Sequence, residues 1–200
     1  MRPNERTARK RAQQSEATAG KIITATVRLA RSVRRVSAVT LEDIAREAGL
    51  TVRTILRRFG SRDGVLESAF VQLRQDIDAA RPATPPGGIE AALSALLEHY
   101  EAIGDLNIRA LEEEDQLPSL QALLEIARGV HRGWLRHIFG PHLAVLSPAE
   151  REQRITALYA ATDVYLWKLL RRDLQLSRKE TAATFLRLVH GVLETRREDA

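Results

Sequence analysis

The residues of this sequence that stand in a pattern able to do chemistry are guanidiniums and hydroxyls. Residues 51–58 read Thr-Val-Arg-Thr-Ile-Leu-Arg-Arg, with no carboxylate among them. Wound as a helix, the segment turns Ile55 inward and presents Thr51, Val52, Arg53, Thr54, Arg57 and Arg58 outward. Hydroxyls and a helix N-terminus bind phosphate oxygens. An arginine near that terminus can bond O6 and N7 of guanine in parallel. The expected chemistry is recognition of double-stranded DNA, set against an αα-hairpin whose arginines only solvate its surface.

Other chemistries find little support. There is no cysteine, so disulfides, thiolate metal sites and thiol nucleophiles are excluded. The five histidines, at 99, 131, 137, 142 and 190, form no HExxH pair. The acidic run Glu112–Asp115 fans around a helix and reads as a solvated face, so no metal site and no cofactor are expected. Nucleophile-elbow, phosphate-loop and dinucleotide fingerprints are missing. Charged residues interrupt every apolar run well short of the ~20 residues of a membrane span. The basic start MRPNERTARKRAQQ leads into no signal-peptide core, which implies a cytoplasmic protein.

Charge is unevenly distributed. Residues 1–62 carry fifteen Lys/Arg against five Asp/Glu, a net +10, and residues 63–200 carry sixteen against twenty-one, a net −5. The formal +5 of the whole chain is thus a basic end on a mildly acidic body, the asymmetry of a protein that faces a polyanion.

The elements that must position the basic helix can be read from caps and spacing. Apolar residues at 22, 23, 27, 30 and 33 mark one face of a helix over about 16–35. Thr40 with Asp43 opens a short helix that Gly49 can end, and Thr51 caps the basic helix, which Gly60 ends. Two short helices around a tight turn, with Leu41, Ile44, Ala45, Ala48, Ile55 and Phe59 inward, are a helix-turn-helix. A fourth helix follows from Arg62. No segment alternates with period two, so the fold class is all-α. The expected architecture is an N-terminal three-helix DNA-binding domain followed by a helical C-terminal domain. The expected divisions are a mobile basic arm at 1–14, a DNA-binding domain with its connecting helix at 15–80, and a second domain at 81–200. The boundary is the Pro/Gly-rich stretch 81–88. In the second domain, helices are expected over 89–103, 106–116, 119–139, 147–172 and 177–195.

The stretch from Val39 to Phe70 resembles the DNA-binding domain of the tetracycline-repressor (TetR) family of bacterial transcriptional regulators. The resemblance rests on Thr40 before the first short helix, Ile44-Ala45 and Ala48-Gly49 within it, and Phe59 followed by Ser61-Arg62. It implies an obligate homodimer on a palindromic operator, and a repressor released by a small-molecule effector. It also implies that Thr40 and Arg62 hold phosphates, that Thr51, Val52 and Arg53 form the reading end, and that Thr54 and Arg58 lie beside them. Leu56 departs from the family's usual Tyr, a loss for which the resemblance leaves Arg57 to compensate, and Val-Ser-Ala at 36–38 replaces a common Gly.

Beyond residue 88 the sequence offers apolar faces and no catalytic motif. Tyr100, Leu124, His131 and Trp134 are candidate walls of an effector pocket, with core packing as the alternative. Two wide apolar stripes near the C-terminus suggest a four-helix dimer interface that includes Leu158, Thr162, Leu166, Phe185, Val189 and Val192. The segment 162–174 also resembles the corresponding helix of some TetR regulators. Two other readings stay open at this point. One is a helical protein-interaction module without DNA binding, and the other an enzyme using His131 with Glu125.

Overall fold

The computed structural model describes residues 3–80 and 84–194, and their side chains apart from 3–8, 77–80 and 119. The described residues are helical, without strands. The helices are α1 (Pro3–Ser32), α2 (Leu41–Ala48), α3 (Val52–Phe59), α4 (Arg62–Ala80), α5 (Ile89–Glu112), α6 (Pro118–Phe139), α7 (Pro148–Thr162), α8 (Val164–Lys168) and α9 (Arg178–Glu194). Among them none is long and apolar enough to cross a membrane. The chain divides into two compact units. One takes residues up to Asp78 together with Arg109–Leu123, and the other takes Ala79–Ile108 with the residues from Leu124 onward.

In the first unit, Ile22, Ala25, Thr26 and Ala30 line the buried face of α1. The Thr26 hydroxyl donates to the Ile22 carbonyl at 2.8 Å, which satisfies a polar group the core would otherwise penalise. Thr40 and Asp43 form a reciprocal capping box at the start of α2. These bonds hold the Asp43 carboxyl below its ordinary pKa. Gly49 ends α2 in the left-handed region at φ 66°, where a side chain would be strained. The tight turn lets Ile44 and Ala45 meet Ile55 of α3 in one buried cluster with Ile22, Val39 and Val65. Leu41, Ala48, Val52 and Phe59 pack on its edge.

The expected arm is helical through its described part. Pro3 opens α1, and the Ala-, Arg- and Gln-rich segment that follows has the propensity to continue it. Arg2, assigned to that arm, lies outside the described residues, as does the Arg6 side chain; Arg9, Lys10 and Arg11 are exposed.

The first unit also takes in Arg109–Leu123, which the Pro/Gly boundary assigns to the second domain. Glu113 is only 3% exposed. Its two carboxylate oxygens accept from the backbone N–H groups of Val36 and Ser37 at 2.6 and 2.8 Å. Those residues form a single 3-10 turn, Val36–Ala38, between α1 and α2. Arg109 donates to the Arg31 carbonyl at 3.1 Å, near the C-terminus of α1.

In the second unit, Trp167, Phe139, Phe185, Leu158, Leu143 and Val189 are buried in the core, and α7 packs on α9. Two helix boundaries differ from the sequence expectation. The break expected near Gly104 does not occur, because α5 runs through it. A Cβ on Gly104 would stand 2.4–2.7 Å from three carbons of the Trp167 ring, so glycine is required there by close approach and not by a turn. The helix expected over 147–172 is interrupted. Asp163 adopts an extended conformation (φ −72°, ψ 154°) and its side chain caps α8 through the Tyr165 N–H. The helix then ends in a π turn, Leu169–Asp173. The Ser147–Glu150 capping box opens α7 as its sequence predicts, and Ser177 and Glu180 exchange the same pair of bonds before α9.

Candidate nucleic-acid interface

The reading surface is built on α3. Thr51 caps it by accepting the Thr54 N–H at 3.2 Å, and the two hydroxyls are 3.0 Å apart. One of the pair's two hydroxyl hydrogens is used between them, and the other remains available to an outside acceptor. Val52 is half-buried against the core. Arg53 and Arg57 are exposed, and neither makes an ion pair among the described residues. Leu56, between them on the same exposed face, is 39% exposed.

The remaining residues named from the sequence are engaged within the chain. Arg58 donates to the Ser15 hydroxyl of α1, so it turns toward that helix. Arg62 donates to the Ser37 carbonyl at 3.0 Å and to Asp63 Oδ1 at 3.0 and 3.1 Å. It braces the turn before α2, with further N–H groups still available. The Thr40 hydroxyl lies 2.6 Å from Asp43 Oδ2, so its hydrogen serves the cap of α2. The structure therefore brings Arg53, Arg57 and one hydroxyl of the Thr51–Thr54 pair together as the open donors. Sequence reasoning missed Ser15 as the partner of Arg58. The signal was present: Arg11, Gln14, Ser15 and Thr18 are spaced as one face of a helix.

The second group of candidates falls in the other unit. His131 Nε2 is 2.9 Å from Thr162 Oγ1. Its ring stacks on Trp134 at 5.4 Å between centroids and meets the edge of Tyr159 at 4.9 Å. Tyr100 donates its hydroxyl hydrogen to the Thr162 carbonyl at 2.9 Å, and Leu124 is buried. Burial raises the Tyr159 phenol and the Asp163 carboxyl above their ordinary pKa values. Glu125, suggested as an acid–base partner of His131, faces Arg128 at 3.6 Å.

The residues expected at a dimer interface divide by burial. Leu158, Thr162, Phe185 and Val189 are buried in the unit's own core, at no more than 1% exposure, and have no surface left for a partner. Leu166 and Val192 are half-buried. Amphipathic spacing identifies an apolar stripe but not which neighbour covers it, and here the chain itself covers most of it.

Residues 22–69 match the family model of the bacterial regulatory proteins of the tetR family, from Ile22 of α1 through α2 and α3 into α4. No curated protein shows significant similarity to the chain.

Proposed function

We propose that this chain, whose residues 22–69 match the tetR-family model of bacterial regulatory proteins, is a homodimeric DNA-binding transcriptional repressor and not an enzyme. It binds a palindromic operator through α3 and leaves it when a small-molecule effector binds. The observation that carries this reading is the carboxylate-free outer face of α3, on a helix fixed by the Thr51 cap, with Arg53 and Arg57 open to a ligand. Arg53, in the first turn, takes the base-reading role, and Thr51, Thr54 and Arg57 take phosphates. Two copies of α3 must stand about 34–36 Å apart, or a multiple of that, to read successive major grooves, which is the reason for a dimer. Its interface uses the apolar surface left over by the core: Leu166 and Val192 with the exposed Tyr165, Leu169 and Leu188. Tyr100, Leu124, His131 and Trp134 are the proposed effector contacts, where a stacked aromatic pair and a Thr162-centred hydrogen-bond network offer both apolar and polar recognition.

The test is selection of genomic fragments bound by the purified protein, then titration of the enriched duplex between about 50 and 200 mM salt. Affinity should fall by orders of magnitude over that range. Arg53→Ala should relax sequence preference at one base position, and Leu169→Glu should convert a dimer to a monomer in light scattering. Failure of the wild-type protein to bind duplex at low salt would overturn the reading.

A further inference from the structure

The recognition helix does not stand alone on its exposed side. A cleft of about 450 Å³ opens between α1 and α3, lined by Arg11, Gln14, Ser15 and Thr18 from one helix and Thr54, Arg57 and Arg58 from the other. Among the described residues no carboxylate lines it. Three arginines line this one cleft, and an anion seated there would be favoured by their like charges. Only Arg58 has a partner there, the neutral hydroxyl of Ser15, and that bond ties α1 to α3. Ser15 accepts in it, so its own hydrogen remains free to donate. Thr18 is directed elsewhere, since its hydroxyl donates to the Gln14 carbonyl at 2.8 Å. The open donors are thus the guanidinium N–H groups of Arg11 and Arg57, the Gln14 amide and the Ser15 hydroxyl. This is the donor set for a tetrahedral oxyanion.

We infer that this cleft seats one backbone phosphate of the bound duplex, making α1 a second DNA-contacting helix held in register with α3 by the Ser15–Arg58 bond. The inference rests on the DNA-binding reading above and adds a ligand subsite to it. A phosphate here carries no sequence information; it fixes the angle at which α3 enters the groove.

The experiment replaces each operator phosphate in turn by an uncharged methylphosphonate and measures affinity for wild type, Arg11→Ala and Arg57→Ala. One position should weaken wild-type binding about tenfold or more and be nearly silent in both variants. Each variant should also lower the salt slope by about one. Arg9→Ala removes an exposed charge of α1 outside the cleft and should retain full sensitivity at that position. Duplex binding with no position shared by Arg11 and Arg57 would overturn the inference and leave the regulator reading intact. Calorimetric saturation by inorganic phosphate, with no shared position, would assign the cleft to a free anion and overturn it equally. Loss of all duplex binding by the wild type would remove both.

Discussion

Gly104→Ala sets two opposing effects against each other, and the structure decides between them. In an exposed helix interior the substitution stabilises by about 1 kcal/mol, because alanine restricts the unfolded chain. At position 104 the new methyl would lie 2.4, 2.6 and 2.7 Å from ring carbons of Trp167. Carbon atoms in contact sit about 3.5–4.0 Å apart, so the overlap is about 1 Å at each. The ring has nowhere to go. It is fully buried, its indole N–H donates to Glu101 Oε1 at 3.0 Å, and the Arg172 guanidinium lies over it at 4.5 Å. Overpacking of this kind costs about 1–3 kcal/mol or more, and it outweighs the propensity gain. Gly104→Ala should therefore lower the melting temperature by several degrees, at about 2–4 °C per kcal/mol for a protein of this size. It should also change the near-ultraviolet circular dichroism of the Trp167 environment. Gly129→Ala and Gly133→Ala are the internal control. Both lie in α6 with nothing within 4 Å of the added carbon, and each should raise stability by about 1 kcal/mol. A Gly104→Ala protein that melts at or above the wild type would refute the reasoning.

Three further outcomes follow from the same kind of argument. Arg171 donates to both oxygens of Glu101, at 2.6 and 2.9 Å, and holds its carboxyl down from an ordinary 4.5 to about 2. A depressed carboxyl stabilises the fold above pH 4.5 and loses that contribution as pH falls through about 2. With both side chains still 20–25% exposed, solvent screening reduces the effect to about 2 kcal/mol. Urea midpoints should fall less steeply in Glu101→Gln than in wild type over this acid range, and parallel curves would count against the pairing. Glu113→Ala removes a buried acceptor shared by two backbone N–H groups, so the first unit should lose about 3–5 kcal/mol in denaturant unfolding. Glu113→Gln, which keeps one acceptor oxygen, should recover part of it, and equal stability of all three proteins would exclude the clamp. Leu56, apolar and exposed between Arg53 and Arg57, should meet a thymine methyl in the groove. One thymine-to-uracil replacement in the operator should then weaken wild-type binding and leave Leu56→Ala unaffected; equal losses in both would rule it out.

What the sequence made legible were features with local causes. Thr40 with Asp43, Gly49 and Thr51 act within four residues of themselves, so the boundaries of α2 and α3 and their buried faces could be read directly. Gly104 could not be read that way, because what requires a glycine is Trp167, sixty-three residues later in the chain. The same holds for Glu113. In the sequence it is one of four consecutive acids, and only the fold selects it to cap the Val36–Ala38 turn while Glu112 and Asp115 stay exposed. Asp163 was legible only in retrospect. Its side chain caps α8, but the surrounding apolar spacing continues on both sides and hides the break. Burial, finally, is a pairwise property. Phe185 and Leu166 both lie on apolar stripes, and only the packed unit shows that the first is fully enclosed and the second is not.

The same distinction separates the basic residues of the DNA-contacting end, and it changes what net charge means there. Periodicity places Arg53, Arg57, Arg58 and Arg62 on or beside one face, and a count of positive charges treats them alike. The hydrogen bonds do not. Arg62 directs one N–H to the Ser37 carbonyl and two to Asp63, so it spans from the start of α4 to the turn before α2 while its charge is largely offset by its neighbour. Arg58 is held by Ser15 and keeps its full charge. Only Arg53 and Arg57 are open, and they stand on a helix whose first turn is fixed by Thr51. A long side chain that must order on binding gives up about 2 kcal/mol of rotamer freedom. Arg58 has already lost part of that freedom in forming its bond with Ser15. Arg53 and Arg57 have not, and in the proposed complex their ordering would be driven by the groups they bond. The fold thus holds Arg58 and Arg62 in place and leaves Arg53 and Arg57 free, a division that a count of positive charges does not show.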